Sequence, residues 1–361
     1  MIKYFDFEKS IEDIDNKIND INNNPSNRNE DLIKKYEAKK DIFFKDIYKS
    51  LTAWQKVQVA RHPNRPHTIE YIKNCFSNFV PLCGDKKFSE DEAIIGGLAK
   101  IDDISVMVIG TEKGSTMETR IKHNFGMAKP EGYRKFQRLL TLSEKFGFPV
   151  ITFIDTAGAY PGKDAEERGQ SESIASSISK SLQIKVPIIS IIIGEGGSGG
   201  AIGLATADRT LMLQNAIYSV ISPEGCASIL WRDPTKTLEA AKAMKLTSKD
   251  LLNLKIIDEI IPEPTGGAHR DKNLTLDNVR MSIDRNLNDL SNLSKAEIIS
   301  RKKEKFLKIG RDRGLTEGVS ISNKLSINFT NISKLKKVLF KYKYFFIGSI
   351  FVFAALFFLL R

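Results

Sequence analysis

The run Ile193-Gly194-Glu195-Gly196-Gly197-Ser198-Gly199-Gly200-Ala201 constrains this chain more than any other segment. Five glycines occupy seven positions, directly after the apolar stretch 188–193. Glycine costs roughly 0.5–1 kcal/mol against alanine inside regular structure, so packing a core does not account for the run. A strand that empties into such a loop, with a helix starting near Ala201, lets the backbone approach a ligand closely. It also leaves unpaired N–H groups at a helix N-terminus, where they and the helix dipole stabilise negative charge.

The surrounding pattern repeats that design. β-Branched runs at 104–109, 150–154 and 186–193, with a shorter one at 218–221, alternate with helix-like segments at 132–146 and 165–183. This alternation predicts an α/β domain with a mostly parallel sheet, on its own merits a doubly wound one. A run as apolar as 188–193 suits a strand buried on both faces. A second glycine turn, Asp155-Thr156-Ala157-Gly158-Ala159-Tyr160-Pro161-Gly162, follows the strand ending at Ile154. A third, Ser222-Pro223-Glu224-Gly225, again leads from strand to helix, with Pro223 suited to a first helical turn. In a parallel sheet all three share the C-terminal edge, where α/β proteins build their sites.

The flanks are different. Residues 8–58 read as two helices broken at 22–26, with Ile11, Ile14, Ile18 and Ile21, then Ile33, Tyr36, Phe43 and Ile47, at helical spacing. A helical hairpin is the expectation for 1–60, and Asp6 and Glu8 interrupt any secretory signal. Pro262, Pro264, Gly266 and Gly267 close the α/β block, placed at 61–270. Residues 271–330 are polar and basic, with helices expected at 274–293 and 296–309 before a linker. Within 331–361, the stretch 344–360 has 17 uncharged residues behind Lys334, Lys336, Lys337, Lys341 and Lys343. As a helix it measures about 25 Å, near the lower limit for spanning hydrocarbon. The positive-inside rule then gives a membrane tail anchor with the body on the cytoplasmic side.

Charge and cysteine usage narrow the function classes. The chain carries +11, but +10 of it lies from Asp271 onward and the first 270 residues carry only +1. A nucleic-acid-binding core would have its own basic face, so no nucleic-acid partner is expected. Three cysteines without C-x-x-C, and four histidines without ligand spacing, argue against a metal site and for a reducing cytoplasmic setting.

Several motifs compete for the glycine loop. Gly194-x-Gly196-x-x-Gly199 fits the dinucleotide fingerprint, yet 210–217 lacks the acidic residue that should follow. The phosphate-loop pattern fails, since no Lys-Ser/Thr follows. Gly196-x-Ser198-x-Gly200 fits a hydrolase nucleophile elbow, with His269 downstream as a base. The remaining reading is an oxyanion hole made of glycine N–H groups, with no side-chain nucleophile.

Longer stretches carry a resemblance. Ala53-Trp54-Gln55, Ala60-Arg61-His62-Pro63, Asn124-Phe125-Gly126-Met127 and Pro130-Glu131-Gly132-Tyr133-Arg134-Lys135 closely resemble the α subunit of bacterial and plastid acetyl-CoA carboxylase carboxyltransferase. So do 151–162, 165–172, 193–201, 218–231 and Ile261-Pro262-Glu263-Pro264, and the resemblance runs from about Phe5 to Arg270. The family's usual proline in Asp-Thr-Pro-Gly-Ala is Ala157 here, and 331–361 lies outside the likeness.

The resemblance implies a crotonase-like (ClpP/crotonase) fold of ββα superhelical turns, which replaces the doubly wound expectation. It implies transfer of the carboxyl group from carboxybiotin, on a biotin carboxyl carrier protein, to acetyl-CoA, giving malonyl-CoA for fatty acid synthesis. The implied partners are a β subunit in an α2β2 assembly and biotin carboxylase in the holoenzyme. Zinc and the main acetyl-CoA pocket fall to the β subunit, and no cofactor to this chain. The family's biotin oxyanion hole falls on Gly199 and Gly200, with Gly196, Gly197, Ser198, Gly158 and Ala159 shaping the substrate site. Basic residues in 60–65 and 124–135 either contact the partner or CoA phosphates or form a solvated face. The alternatives are a serine hydrolase acting through Ser198 and a membrane-tethered scaffold without turnover.

Overall fold

A computed structural model describes residues 4–23 and 29–310. The expected hairpin is present: α1 (Lys9–Asn23) and α2 (Glu30–Lys49) pack together, with Ile11, Ile14 and Ile18 buried. Asn29 caps α2 through its side chain. Two short helices follow, α3 (Ala53–Ala60) and α4 (Thr68–Cys75), the first opened by a Thr52/Gln55 capping box.

The sheet then starts earlier than the sequence pattern indicates. Strand β1 (Ser77–Pro81) and β2 (Ile94–Ile101) precede β3 (Ile104–Thr111), and the three run antiparallel. After α5 (Met117–Lys122) comes α6 (Pro130–Phe146), begun by Pro130 and ended by left-handed Gly147. Strand β4 (Val150–Thr156) lies parallel to β3. The helix expected over 165–183 is two, α7 (Lys163–Glu167) and α8 (Gln170–Gln183), because Gly169 takes a left-handed conformation between them (φ 83°).

Strand β5 (Ile188–Gly197) is buried along its whole length and leads into α9 (Ser198–Ala205). Then come β6 (Arg209–Leu213), β7 (Ile217–Ser219) and α10 (Pro223–Cys226), which runs into a π-turn at Ala227–Trp231. Helices α11 (Thr237–Ala243) and α12 (Ser248–Asn253) precede the last strand, β8 (Glu259–Ile261). Two longer helices close the described chain, α13 (Lys272–Ser291) and α14 (Lys295–Lys308).

The strand order is β1-β2-β3-β4-β5-β6-β8, with β7 paired to the end of β5, and everything from β3 onward is parallel. Helices cover both faces. Thr152 donates to the carbonyl of Leu204 in α9, while its neighbour Phe153 stacks on Tyr71 of α4. Successive strand side chains point to opposite faces, so α9 and α4 lie on opposite sides of the sheet. This double cover is why β4 and β5 are buried along their whole length and mostly apolar, with charge entering only near their C-terminal ends at Asp155 and Glu195. Strands β1, β2, β6 and β8 escaped the sequence pattern because they are short, glycine-containing or at the sheet's edges.

The helices expected at 274–293 and 296–309 are present as α13 and α14, and both pack on the α/β block. Val279, Ile283, Leu287 and Leu290 of α13 join the main core, and Lys302 of α14 is buried against Asp208. The compact unit therefore runs to Leu307 without a break at 270. A second unit, Lys308–Arg361, lies almost wholly outside the described residues, and the stretch 344–360 falls within it. Among the described residues no helix is long and apolar enough to cross a membrane. Ile283→Ala should lower unfolding free energy by about 2–5 kcal/mol, the usual cost of emptying a core site, measured by denaturant titration.

Candidate active site

Strand register brings the three turns together. Thr156 lies opposite Gly196, Gly196 opposite Tyr218, and Gly197 opposite Ser219. Helix α9 begins at Ser198 rather than near Ala201, and Ser198 turns the strand-to-helix corner in a left-handed conformation (φ 54°). At two positions glycine is required by close approach. A Cβ on Gly197 would lie 2.1 Å from the carbonyl oxygen of Ala157, and one on Gly200 would lie 2.5 Å from the carbonyl carbon of Gly158. The Thr156–Ala159 turn and the first turn of α9 thus touch backbone to backbone. Gly199 is different: a Cβ there meets only Ile174, at 3.5 Å.

The donors can be assigned one by one. The first N–H groups of a helix have no acceptor four residues back. Among the described residues, no loop or side-chain acceptor takes up the N–H of Gly199, Gly200 or Ala159. The N–H of Gly158 is engaged by Thr156 Oγ1 at 3.1 Å, so Gly158 shapes the turn without offering a donor. Gly199 is half-buried and Gly200 buried. All seven residues singled out in the sequence meet at this edge, and two adjoining free amides belong to a helix N-terminus.

Below the turns lies a charged cluster that the sequence did not reveal as one. Asp155, at the end of β4, is buried and accepts from Lys113 Nζ at 2.7 Å and from the Glu195 N–H at 3.0 Å. Burial alone would raise the Asp155 pKa, but Lys113 beside it, with His67 and the Glu195 N–H, holds it well below the usual carboxylate range. Burial likewise works against the charge on Lys113, and Asp155 and Glu195 override it and raise its pKa. Glu195 lies between Lys113, at 3.3 Å, and Arg61 Nε, at 2.8 Å. These groups line a cavity of about 420 Å³ that also reaches His67, Arg120 and Ala157. Some signals were present singly: Asp155, Glu195, Arg61 and Glu224 sit in quoted motifs, whereas Lys113, just past β3, carried none.

Other readings are corrected. Ser198 has no base. His269 stacks on His62 with ring centroids 3.8 Å apart, and neither of its ring nitrogens has a hydrogen-bond partner. Nor do all the basic residues of 60–65 and 124–135 face outward. Arg65 is buried in a paired contact with Glu263 at 2.8 and 3.0 Å, and Lys135 is buried against Glu90. Among the described residues no cluster of His, Cys, Asp and Glu is arranged to hold a metal ion. A second cavity, apolar and about 580 Å³, opens between α9, β7 and the π-turn, with Ile229 and Leu230 exposed at its rim.

Two solved structures share this arrangement of strands and helices. One is transcarboxylase 12S with hydrolysed methylmalonyl-coenzyme A bound, at TM-score 0.51 and 16% identity over 63% of this chain and 42% of that one. The other is a Pseudomonas malonate decarboxylase hetero-tetramer in complex with coenzyme A, at TM-score 0.50 and 13% identity over 58% and 84%. The fold is the crotonase-like fold of the carboxyltransferases. Residues 4–310 match the family described as acetyl co-enzyme A carboxylase carboxyltransferase-like. The carboxyl transferase subunit alpha of Pelagibacter ubique is 53% identical over 348 residues, covering 95% of both chains. That of Paramagnetospirillum magneticum is 53% identical over 309 residues, 85% of this chain and 98% of its own. The chain belongs to the family of acetyl-coenzyme A carboxylase carboxyl transferase alpha subunits.

Half-buried His269 carries a pH signature. Burial, with His62 and Arg270 adding to it, pushes His269 from an ordinary 6.5 down to about 2. The unfolded chain therefore binds a proton near pH 6.5 that the folded chain refuses until far lower pH. Stability from this group is full above pH 6.5 and is lost as pH falls below it. The slope is at most about 1.4 kcal/mol per pH unit for one such group. Thermal melts between pH 7 and 5 should show the wild type losing more stability than His269→Phe.

Proposed function

We propose that this chain supplies the biotin side of a carboxyltransferase that moves a carboxyl group from carboxybiotin to acetyl-CoA, giving malonyl-CoA. Family membership supports the reaction. The observation that supports the division of labour is the pair of unclaimed N–H groups at Gly199 and Gly200. When the C–N bond of carboxybiotin breaks, CO2 leaves and charge collects on the ureido oxygen. Backbone amides at a helix N-terminus stabilise that oxygen. The freed biotin nitrogen takes a methyl proton from acetyl-CoA, and the enolate carbon then attacks CO2. No side-chain base enters, which suits a site where Glu195 and Asp155 are locked in ion pairs and Ser198 has no histidine.

The thioester enolate needs a second set of donors, and the reading assigns it to a β subunit in an α2β2 assembly. The exposed Val220, Ile229 and Leu230 beside the turns support a partner at this edge, since exposed apolar clusters mark interaction sites. Carboxybiotin arrives on its carrier protein, with biotin carboxylase in the holoenzyme. Zinc belongs to the β subunit, and this chain holds no cofactor of its own.

Two substitutions at one position test the amide assignment. Gly199→Ala keeps the N–H and meets only Ile174. Gly199→Pro removes the N–H in a first helical turn, where proline is tolerated. With β subunit, biotinyl carrier and acetyl-CoA, the proline variant should lose about 10²–10³ in kcat, the usual cost of one oxyanion donor. The alanine variant should stay near wild type. Equal activity in the two variants, both folded by thermal melt, contradicts the assignment.

The stretch 344–360 is proposed to anchor the chain at the cytoplasmic face of a membrane. The Pelagibacter relative supports a shared extension, because a match over 95% of this chain reaches beyond residue 310. Truncation after Asn331 should move the protein from the membrane pellet to the supernatant with transfer activity intact. A full-length protein already in the supernatant contradicts the anchor.

A further inference from the structure

The transfer chemistry leaves unused the densest group of buried charge at the site. Glu195 stands inside the glycine loop, between Gly194 and Gly196. Its carboxylate accepts from Arg61 Nε at 2.8 Å and from Lys113 Nζ at 3.3 Å, and its own N–H donates to Asp155 Oδ1 at 3.0 Å. Asp155 touches the loop a second way, since a Cβ on Gly194 would lie 2.6 Å from Asp155 Oδ1. Arg61 reaches onward to Glu224 Oε1 at 2.6 Å, in the third turn. One guanidinium therefore spans two of the three turns, and one loop residue is gripped from the end of α3, from just past β3 and from the end of β4.

On the carboxyltransferase reading above, we propose that Glu195 is a positioning residue. Its ion pairs fix the loop backbone so that the amides of Gly199 and Gly200 face the ureido oxygen, and Arg61 ties that loop to the Ser222–Glu224 turn. Its two carboxylate oxygens are each taken by a cation, Oε1 by Arg61 and Oε2 by Lys113, so no proton transfer is assigned to it. Nor does burial of the cluster argue for stability, because a buried ion pair is often no better than apolar packing of equal volume. What the pairs provide is direction. A loop with five glycines in seven positions has little side-chain packing to hold it, and fixed charges at its base supply the restraint. Lysine does not substitute for Arg61, since a single ammonium lacks the planar fork that meets two carboxylates at once.

The test uses the complex with its β subunit, biotinyl carrier and acetyl-CoA, and compares Glu195→Gln, Arg61→Lys and the double variant. Each single change should lower kcat by about 10- to 100-fold, in line with a donor displaced by about 1 Å. KM for acetyl-CoA should stay within about twofold, since the main acetyl-CoA pocket falls to the β subunit on this reading and Arg61 is engaged by Glu195 and Glu224. The double variant should be no slower than the worse single one, as expected when two residues act as a unit. Wild-type kcat in either folded variant overturns the proposal, as do losses that multiply in the double variant. Should Glu195→Gln fail to fold, Arg61→Lys alone decides by the same split between kcat and KM. No transfer by the wild-type complex would overturn the carboxyltransferase reading itself; wild-type transfer with unaffected variants overturns this proposal alone.

Discussion

The site depends on a contact in which two backbones meet with no side chain between them. Gly197 and Gly200 let the start of α9 press against the Thr156–Ala159 turn, at separations where any Cβ would collide with peptide atoms. The close approach sets the helix N-terminus at the C-terminal edge of the sheet, beside the turn that leaves β4. Everything chemical follows from that placement. Free amides at a helix start are ready-made hydrogen-bond donors to negative charge, and here they follow β5 directly, against the turn that leaves β4.

Much of this was legible in the residues. The glycine run could be read as a place where the backbone comes unusually close to something, and the three strand-to-helix turns do share one edge. Local pattern could not show which glycines are forced by packing. Gly200 is required by the neighbouring turn while Gly199 is not, and only the tertiary contact separates them. Nor could it show that Gly158 spends its N–H on Thr156, a bond two residues long that looks from the sequence like any other turn. The polar reading of 271–330 missed the buried stripe on α13, where Val279, Ile283 and Leu287 face the core while the opposite face carries the charge that dominates composition.

Ion pairing was the least legible part. Lys113, Asp155, Glu195, Arg61 and Glu224 come from five separate segments, and nothing in their spacing announces that they meet. Their convergence ties the glycine loop to neighbouring segments through side-chain charges, while the amides of Gly199 and Gly200 take no loop or side-chain acceptor among the described residues. A serine hydrolase would need a histidine free to reach Ser198, whereas His269 is stacked on His62 and kept neutral by burial.

The most direct measurement is a crystal structure of the assembled α and β subunits with a biotinyl ligand in the cleft. The account places the ureido oxygen about 2.7–3.1 Å from the main-chain nitrogens of Gly199 and Gly200, the spacing of an oxyanion hole. A ureido oxygen held instead by a side chain, with those nitrogens bonded elsewhere in the protein, would contradict it.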